Sequence, residues 1–88
     1  MTSGTKDYAT ITSGVNKGIA GLCETDVNKT VTNFNAMAKG ALEDGALSKK
    51  TKELIALAIG ASKQCDACIG FHTKTLKRLG ATDGEVSE

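Results

Sequence analysis

Eighty-eight residues make one domain, residues 1–88, with a core that is marginal alone, since so short a chain buries only about 60–65% of its unfolded surface. A net charge of +1 argues against nucleic acid or an anionic membrane as the main partner, and no apolar run approaches the roughly 18 residues needed to span a bilayer. With no Trp, no Pro, one Tyr and two Phe, the apolar content is mostly Ala, Leu, Ile and Val, the composition of a small all-α chain that gains stability from further copies of itself.

Residues 1–7 are polar and are expected to be disordered. The stretch MTSGTKDYAT has neither the basic nor the apolar region of a signal peptide, so the expected location is the cytoplasm. From Tyr8 to Leu22, Ile11, Val15, Ile19 and Leu22 recur at helical spacing. Gly14 and Gly18 lie one turn apart on that helix, either to admit a neighbouring helix or simply as weak points. Cys23 follows at the junction and reads as a small buried hydrophobe.

Thr25 is the expected N-cap of a second helix, with Asp26 in its first turn. Val27, Val31, Phe34, Ala38, Ala41 and Leu42 mark its apolar face, and Gly45 is the expected left-handed stop. Ser48 caps the third helix. From Thr51 to Ala61 that helix is apolar on all sides, with Leu54, Ile55, Ala56, Leu57, Ala58, Ile59 and Ala61 surrounding its axis. Such a helix is buried on all sides, and an 88-residue monomer has little material to cover it, which points to an oligomer.

A fourth helix is expected from Asp66 to Gly80, with Gly80 as its C-terminal stop and Lys74, Lys77 and Arg78 on a solvated face. Thr82-Asp83-Gly84-Glu85 has the form of a capping box opening a further helix, as though the chain continued beyond Glu88.

Chemistry concentrates between Glu53 and Gly80. Cys65 and Cys68 form a C-x-x-C pair at a helix start, and His72, the only histidine, lies four residues after Cys68. Three cysteines without a signal peptide do not make a disulfide framework, and in a reducing compartment C-x-x-C points to redox or metal chemistry. The helix N-terminus stabilises a thiolate, and the two-residue gap lets the sulfurs join without unwinding the helix. His72 is one turn beyond Cys68 and so shares its face, where an imidazole can take the thiol proton. Glu53 can orient His72 or pass its proton on. The preferred reading is a thiol oxidoreductase that needs no cofactor or metal. The residues leave open a zinc site made from Cys65, Cys68 and His72 with Glu53 or a second chain as fourth ligand. They also leave open a purely structural cluster within a non-enzymatic helical assembly or binding module.

Glu53 twelve residues before Cys65, then Cys65-Asp66-Ala67-Cys68, then His72, together resemble the signature of the AhpD-like alkylhydroperoxidases, which are grouped with the carboxymuconolactone decarboxylases. The flanking KELIALAIG and Leu79-Gly80-Ala81 fit as well, and the resemblance covers roughly Phe34 to Glu88. It implies an all-helical fold of about four helices built on a helical-hairpin redox site and assembling as trimers or hexamers. It also implies peroxidase or disulfide-reductase activity in antioxidant defence, with a small peroxide or disulfide as substrate and a dithiol reductant as partner. By the same resemblance Cys68 attacks peroxide, Cys65 resolves, and Glu53 and His72 relay protons. Some members carry a second histidine where this chain has Ala67, and the chain is short for the family.

Distance along the helices poses a question. Twelve helical residues span about 18 Å, whereas Cys65 to His72 spans only about 10 Å. The expectation is that the first helix of the hairpin ends early, for instance after Gly60, that the helices cross steeply, or that Glu53 reaches a neighbouring subunit.

Overall fold

A computed structural model describes residues 6–88. They form five helices: α1 (Tyr8–Cys23), α2 (Asn28–Ala41), α3 (Lys49–Ser62), α4 (Asp66–Arg78) and the short α5 (Asp83–Ser87). No strand forms among the described residues. The all-α expectation therefore holds, with the capping-box segment forming a fifth element.

α4 is the central element, with α3 packed along it as a hairpin and α1 packed against it as well. The α1 contact is close because residue 70 is glycine. A Cβ there would lie 2.7 Å from Thr12 Cγ2. Thr12 is buried at that crossing, its hydroxyl donating to the carbonyl of Tyr8 at 3.0 Å. α2 packs on α1.

Local chemistry explains most helix ends. Asp7 caps α1, accepting from Thr10 N–H at 3.2 Å and from the Thr10 hydroxyl at 2.7 Å. Those bonds hold the Asp7 carboxyl below its ordinary range. Of the stretch 1–7 expected to be disordered, residues 1–5 lie outside the described part, and Lys6 and Asp7 stand ahead of α1, Asp7 as its cap. Ser48 accepts from Thr51 N–H at 3.1 Å, as expected for the α3 cap. Thr82 and Glu85 complete the capping box of α5. Lys50 pairs with Glu85 at 2.6 Å, fastening α5 to the start of α3 and lowering the Glu85 carboxyl from its usual range.

α4 ends in a Schellman motif. Gly80 takes φ +82°, its N–H donating to Lys77 O, while Ala81 N–H reaches Leu76 O.

Two expected signals at α2 are corrected. Thr25 does not cap the helix. Its hydroxyl turns back to the Leu22 carbonyl at 2.6 Å, and α2 begins at Asn28 after Val27 with no side-chain cap. The same oxygen also accepts from Val27 N–H at 3.3 Å, which closes a turn ahead of α2 rather than capping a donor inside its first turn. Gly45 is not the left-handed stop either, because α2 ends at Ala41. The end is served instead by Lys52 of α3, whose ammonium donates to Ala41 O at 3.1 Å and Glu43 O at 2.7 Å.

The apolar core of one chain is small. Leu76 is the single buried hydrophobic side chain among the described residues. No α2 residue is buried, and Phe34 and Met37 are 62% and 66% exposed. On α3, Ile55 and Ile59 also face outward. The Cα radius of gyration is 14.5 Å, against about 12 Å for a compact globule of this length. A Cβ at Gly14 or Gly18 would meet nothing within 4 Å, so among the described residues neither glycine seats a neighbouring helix.

Candidate active site

The site lies between the two arms of the α3–α4 hairpin. α3 runs without interruption to Ser62. Its end is a second Schellman motif, with Gln64 N–H on Ala61 O and Cys65 N–H on Gly60 O at 2.9 Å. The left-handed position is filled by Gln64, at φ +54°, rather than by glycine. A side chain there costs roughly 1–2 kcal/mol, which the surrounding hairpin contacts offset. This tight reversal places Cys65 at the N-cap of α4.

Cys65 Sγ accepts from Cys68 N–H at 3.3 Å, the role that serine or aspartate has at other caps. Cys65 and Cys68 are joined as a disulfide, with their Cα atoms 5.2 Å apart, inside the ordinary disulfide range. Both are partly exposed. Asp66, between them in sequence, pairs with Lys6 at 2.8 Å. Its carboxylate raises the Lys6 ammonium above its usual value.

Cys68 and His72 both face α3, where Gly60 and Glu53 meet them. His72 Nδ1 lies 2.6 Å from Glu53 Oε2. Glu53 is only 2% exposed, and no buried polar side-chain atom lacks a partner among the described residues. An ionised carboxylate only accepts, so a neutral imidazole facing ionised Glu53 carries its proton on Nδ1 and keeps a free lone pair on Nε2. In that state Glu53 selects the tautomer in which Nε2 is the base.

The three expected ways for Glu53 to reach His72 are now decided in part. The first helix does not end early, and the contact forms within one chain. The register is set where Gly60 faces Cys68. From there Glu53 lies seven residues back and His72 four residues on, an offset of about 4.5 Å. The reach of a glutamate and an imidazole spans it. All four expected site residues, Glu53, Cys65, Cys68 and His72, thus come together on one hairpin. Two participants were not read from the sequence as part of the site: Gly60, named there only as a point where the first helix could end, and Gln64. The signal for Gly60 was a lone glycine inside an Ala-, Leu- and Ile-rich helix. Cys23, expected as a small buried hydrophobe, is a free, half-buried residue at the end of α1. Among the described residues no three His, Cys, Asp or Glu side chains form a metal-holding group, and no helix is long and apolar enough to cross a membrane.

The chain is similar to an uncharacterized protein of the cox locus of Paracoccus denitrificans, 46% identical over 55 residues, which are 62% of this chain and 50% of that one. It is 34% identical over 68 residues to an uncharacterized protein of Haemophilus influenzae, covering 77% of this chain and 59% of that one. The chain thus spans about half the length of the curated relatives it matches. Among solved structures, the apo form of a carboxymuconolactone decarboxylase family protein from Legionella pneumophila superposes with a TM-score of 0.83 at 43% identity. That match covers 90% of this chain and 70% of the other. The model of the carboxymuconolactone decarboxylase family matches residues 29–88, the segment that holds α2 to α5 and the whole hairpin site. With the family model and the solved neighbour in agreement, this chain is a member of the carboxymuconolactone decarboxylase family.

Proposed function

We propose that the chain is a thiol-dependent peroxidase or disulfide oxidoreductase that serves antioxidant defence. The observation that carries this reading is the buried Glu53 held on His72 Nδ1, one helical turn from a cysteine of a C-x-x-C pair. A carboxylate buried for packing alone is costly, whereas one that orients a base beside a thiol has a chemical use.

In the proposed cycle His72 Nε2 takes the Cys68 thiol proton. The thiolate attacks the terminal oxygen of a small peroxide, the O–O bond breaks, and the departing alkoxide takes a proton from the imidazolium. Cys68 becomes a sulfenic acid. The Cys65 thiol attacks that sulfur, water leaves, and the disulfide forms. An external dithiol then reduces it by exchange, becoming a disulfide in turn. Cys65, at the turn, is the sulfur offered to that bulky partner. A small disulfide in place of peroxide enters by the same exchange.

Ala67 contributes no histidine between the cysteines. Proton transfer in this reading therefore passes through His72 and Glu53 alone. The test is peroxide consumption by the purified protein with dithiothreitol as donor. Turnover that is lost in Cys68→Ser supports the reading. No turnover with either peroxide or small disulfides removes it.

The second reading, a homo-oligomeric assembly, is compatible with the first and is favoured by a separate observation. α2 buries nothing in its own chain, and Phe34, Met37, Ile55 and Ile59 face outward. A trimer or hexamer would cover them.

A further inference from the structure

We infer that Gly60 is a positioning residue that holds Cys68 against α3 and thereby sets the thiol–disulfide equilibrium of the C-x-x-C pair, an inference that rests on the redox reading of this site. Two observations at Gly60 act on the two cysteines separately. A Cβ built on it would lie 2.7 Å from Cys68 Cβ, with the Cys68 carbonyl carbon and Cα at 3.7 and 3.8 Å. Its carbonyl oxygen accepts the Cys65 N–H at 2.9 Å. Gly60 is buried, and the nearest Cys68 atom is the first of its side chain rather than a flexible tip.

The consequence is geometric. Cys65 is fixed to α3 through its backbone, and Cys68 is fixed through contact with the bare Cα of Gly60. A methyl group at residue 60 leaves the Cys65 tie in place and pushes Cys68 away from it. The disulfide requires a Cα separation within a narrow range, whereas the dithiol does not. Displacement therefore weakens the oxidised form more than the reduced form. The equilibrium concerned is protein dithiol plus oxidised glutathione giving protein disulfide plus two reduced glutathione, with two electrons and two protons passing to glutathione.

The experiment is titration of the full chain in glutathione buffers, with the oxidised fraction read by thiol alkylation and mass spectrometry. Gly60→Ala should shift the equilibrium toward the dithiol on the order of tenfold, about 30 mV for a two-electron couple. The control is Gly70→Ala, which places a Cβ 2.7 Å from Thr12 Cγ2 on the α1 side of α4, the helix that carries Cys68. It should lower stability and leave the glutathione equilibrium unchanged. An unshifted Gly60→Ala overturns the inference, as do equal shifts in both variants, since these would report stability alone. Should Gly60→Ala not fold, amide exchange of the wild type decides. A Cys65 amide protected in both redox states supports the seat on Gly60, and one that exchanges freely overturns it. A wild type that forms the disulfide but consumes no peroxide removes the peroxidase reading while leaving this inference standing. A wild type that forms no disulfide in oxidised glutathione removes both.

Discussion

Glu53 and His72, nineteen residues apart, meet at 2.6 Å between Oε2 and Nδ1, with the carboxylate buried and the imidazole partly open. With the imidazole neutral, the pair leaves Nε2 as the free base. His72→Ala is expected to slow reaction of the cysteine with peroxide by on the order of 10²–10⁴, the usual worth of a positioned general base. Glu53→Gln keeps a hydrogen-bonding side chain but removes the charge that selects the tautomer, so it should give a smaller loss in the same direction. Stopped-flow consumption of peroxide by the pre-reduced variants measures both. Equal rates in wild type and His72→Ala would exclude the relay.

The two cysteines should divide the work. Cys65 lies closer to the N-terminal field of α4, but Cys68 shares its face with the base. For a small peroxide the paired base decides. Cys65→Ser should react once and leave a trappable sulfenic acid on Cys68, whereas Cys68→Ser should not react at an appreciable rate. Mass spectrometry with a sulfenic-acid trap separates the cases. Label on Cys65 in Cys68→Ser, with none on Cys68 in the other variant, would reverse the assignment.

Assembly is expected to depend on the apolar residues that one chain leaves outside. Met37→Glu and Ile59→Glu each place a charge on a side chain that is 66% or 58% exposed in the single chain. Neither should cost the monomer much fold stability. Light scattering at micromolar concentration should show an oligomer for the wild type and smaller species for the variants. A wild type that is a stable monomer would end this expectation.

Acid should loosen the ends of the chain first. Asp7 and Glu85 both have folded carboxyl groups below the ordinary range, held by the Thr10 hydrogen bonds and by Lys50 respectively. A depressed folded value stabilises the fold above the unfolded value, and that contribution is lost as pH falls through the folded one. Amide exchange should therefore show the first turn of α1 and all of α5 opening as pH drops below about 4. Asp7→Asn should make the α1 response independent of pH while leaving that of α5.

At the redox turn, Gln64→Gly should stabilise the chain by roughly 0.5–1 kcal/mol, because glycine takes a left-handed backbone without the Cβ penalty. A denaturant midpoint at or below that of the wild type would show that the Gln64 side chain makes a contact outweighing the strain.

What was legible in the sequence was whatever a short stretch determines by itself. The helical spacing of Ile11, Val15 and Ile19, the caps at Ser48 and Thr82, the stop at Gly80 and the C-x-x-C-x-x-x-H grouping all depend on residues within one or two turns of each other. Even local signals were blurred in places: Thr25 bonds both the Leu22 carbonyl and the Val27 N–H, and so turns the chain before α2 without capping it. The tertiary structure alone decided how far α3 slides along α4. That register follows from contact across the hairpin, where Gly60 lets Cys68 approach, and from a left-handed Gln64 that no glycine announced. A shift of one turn would part Glu53 from His72 while leaving every local helical signal intact. Periodicity records which face of a helix is apolar, but the register depends on shape complementarity between residues distant in sequence.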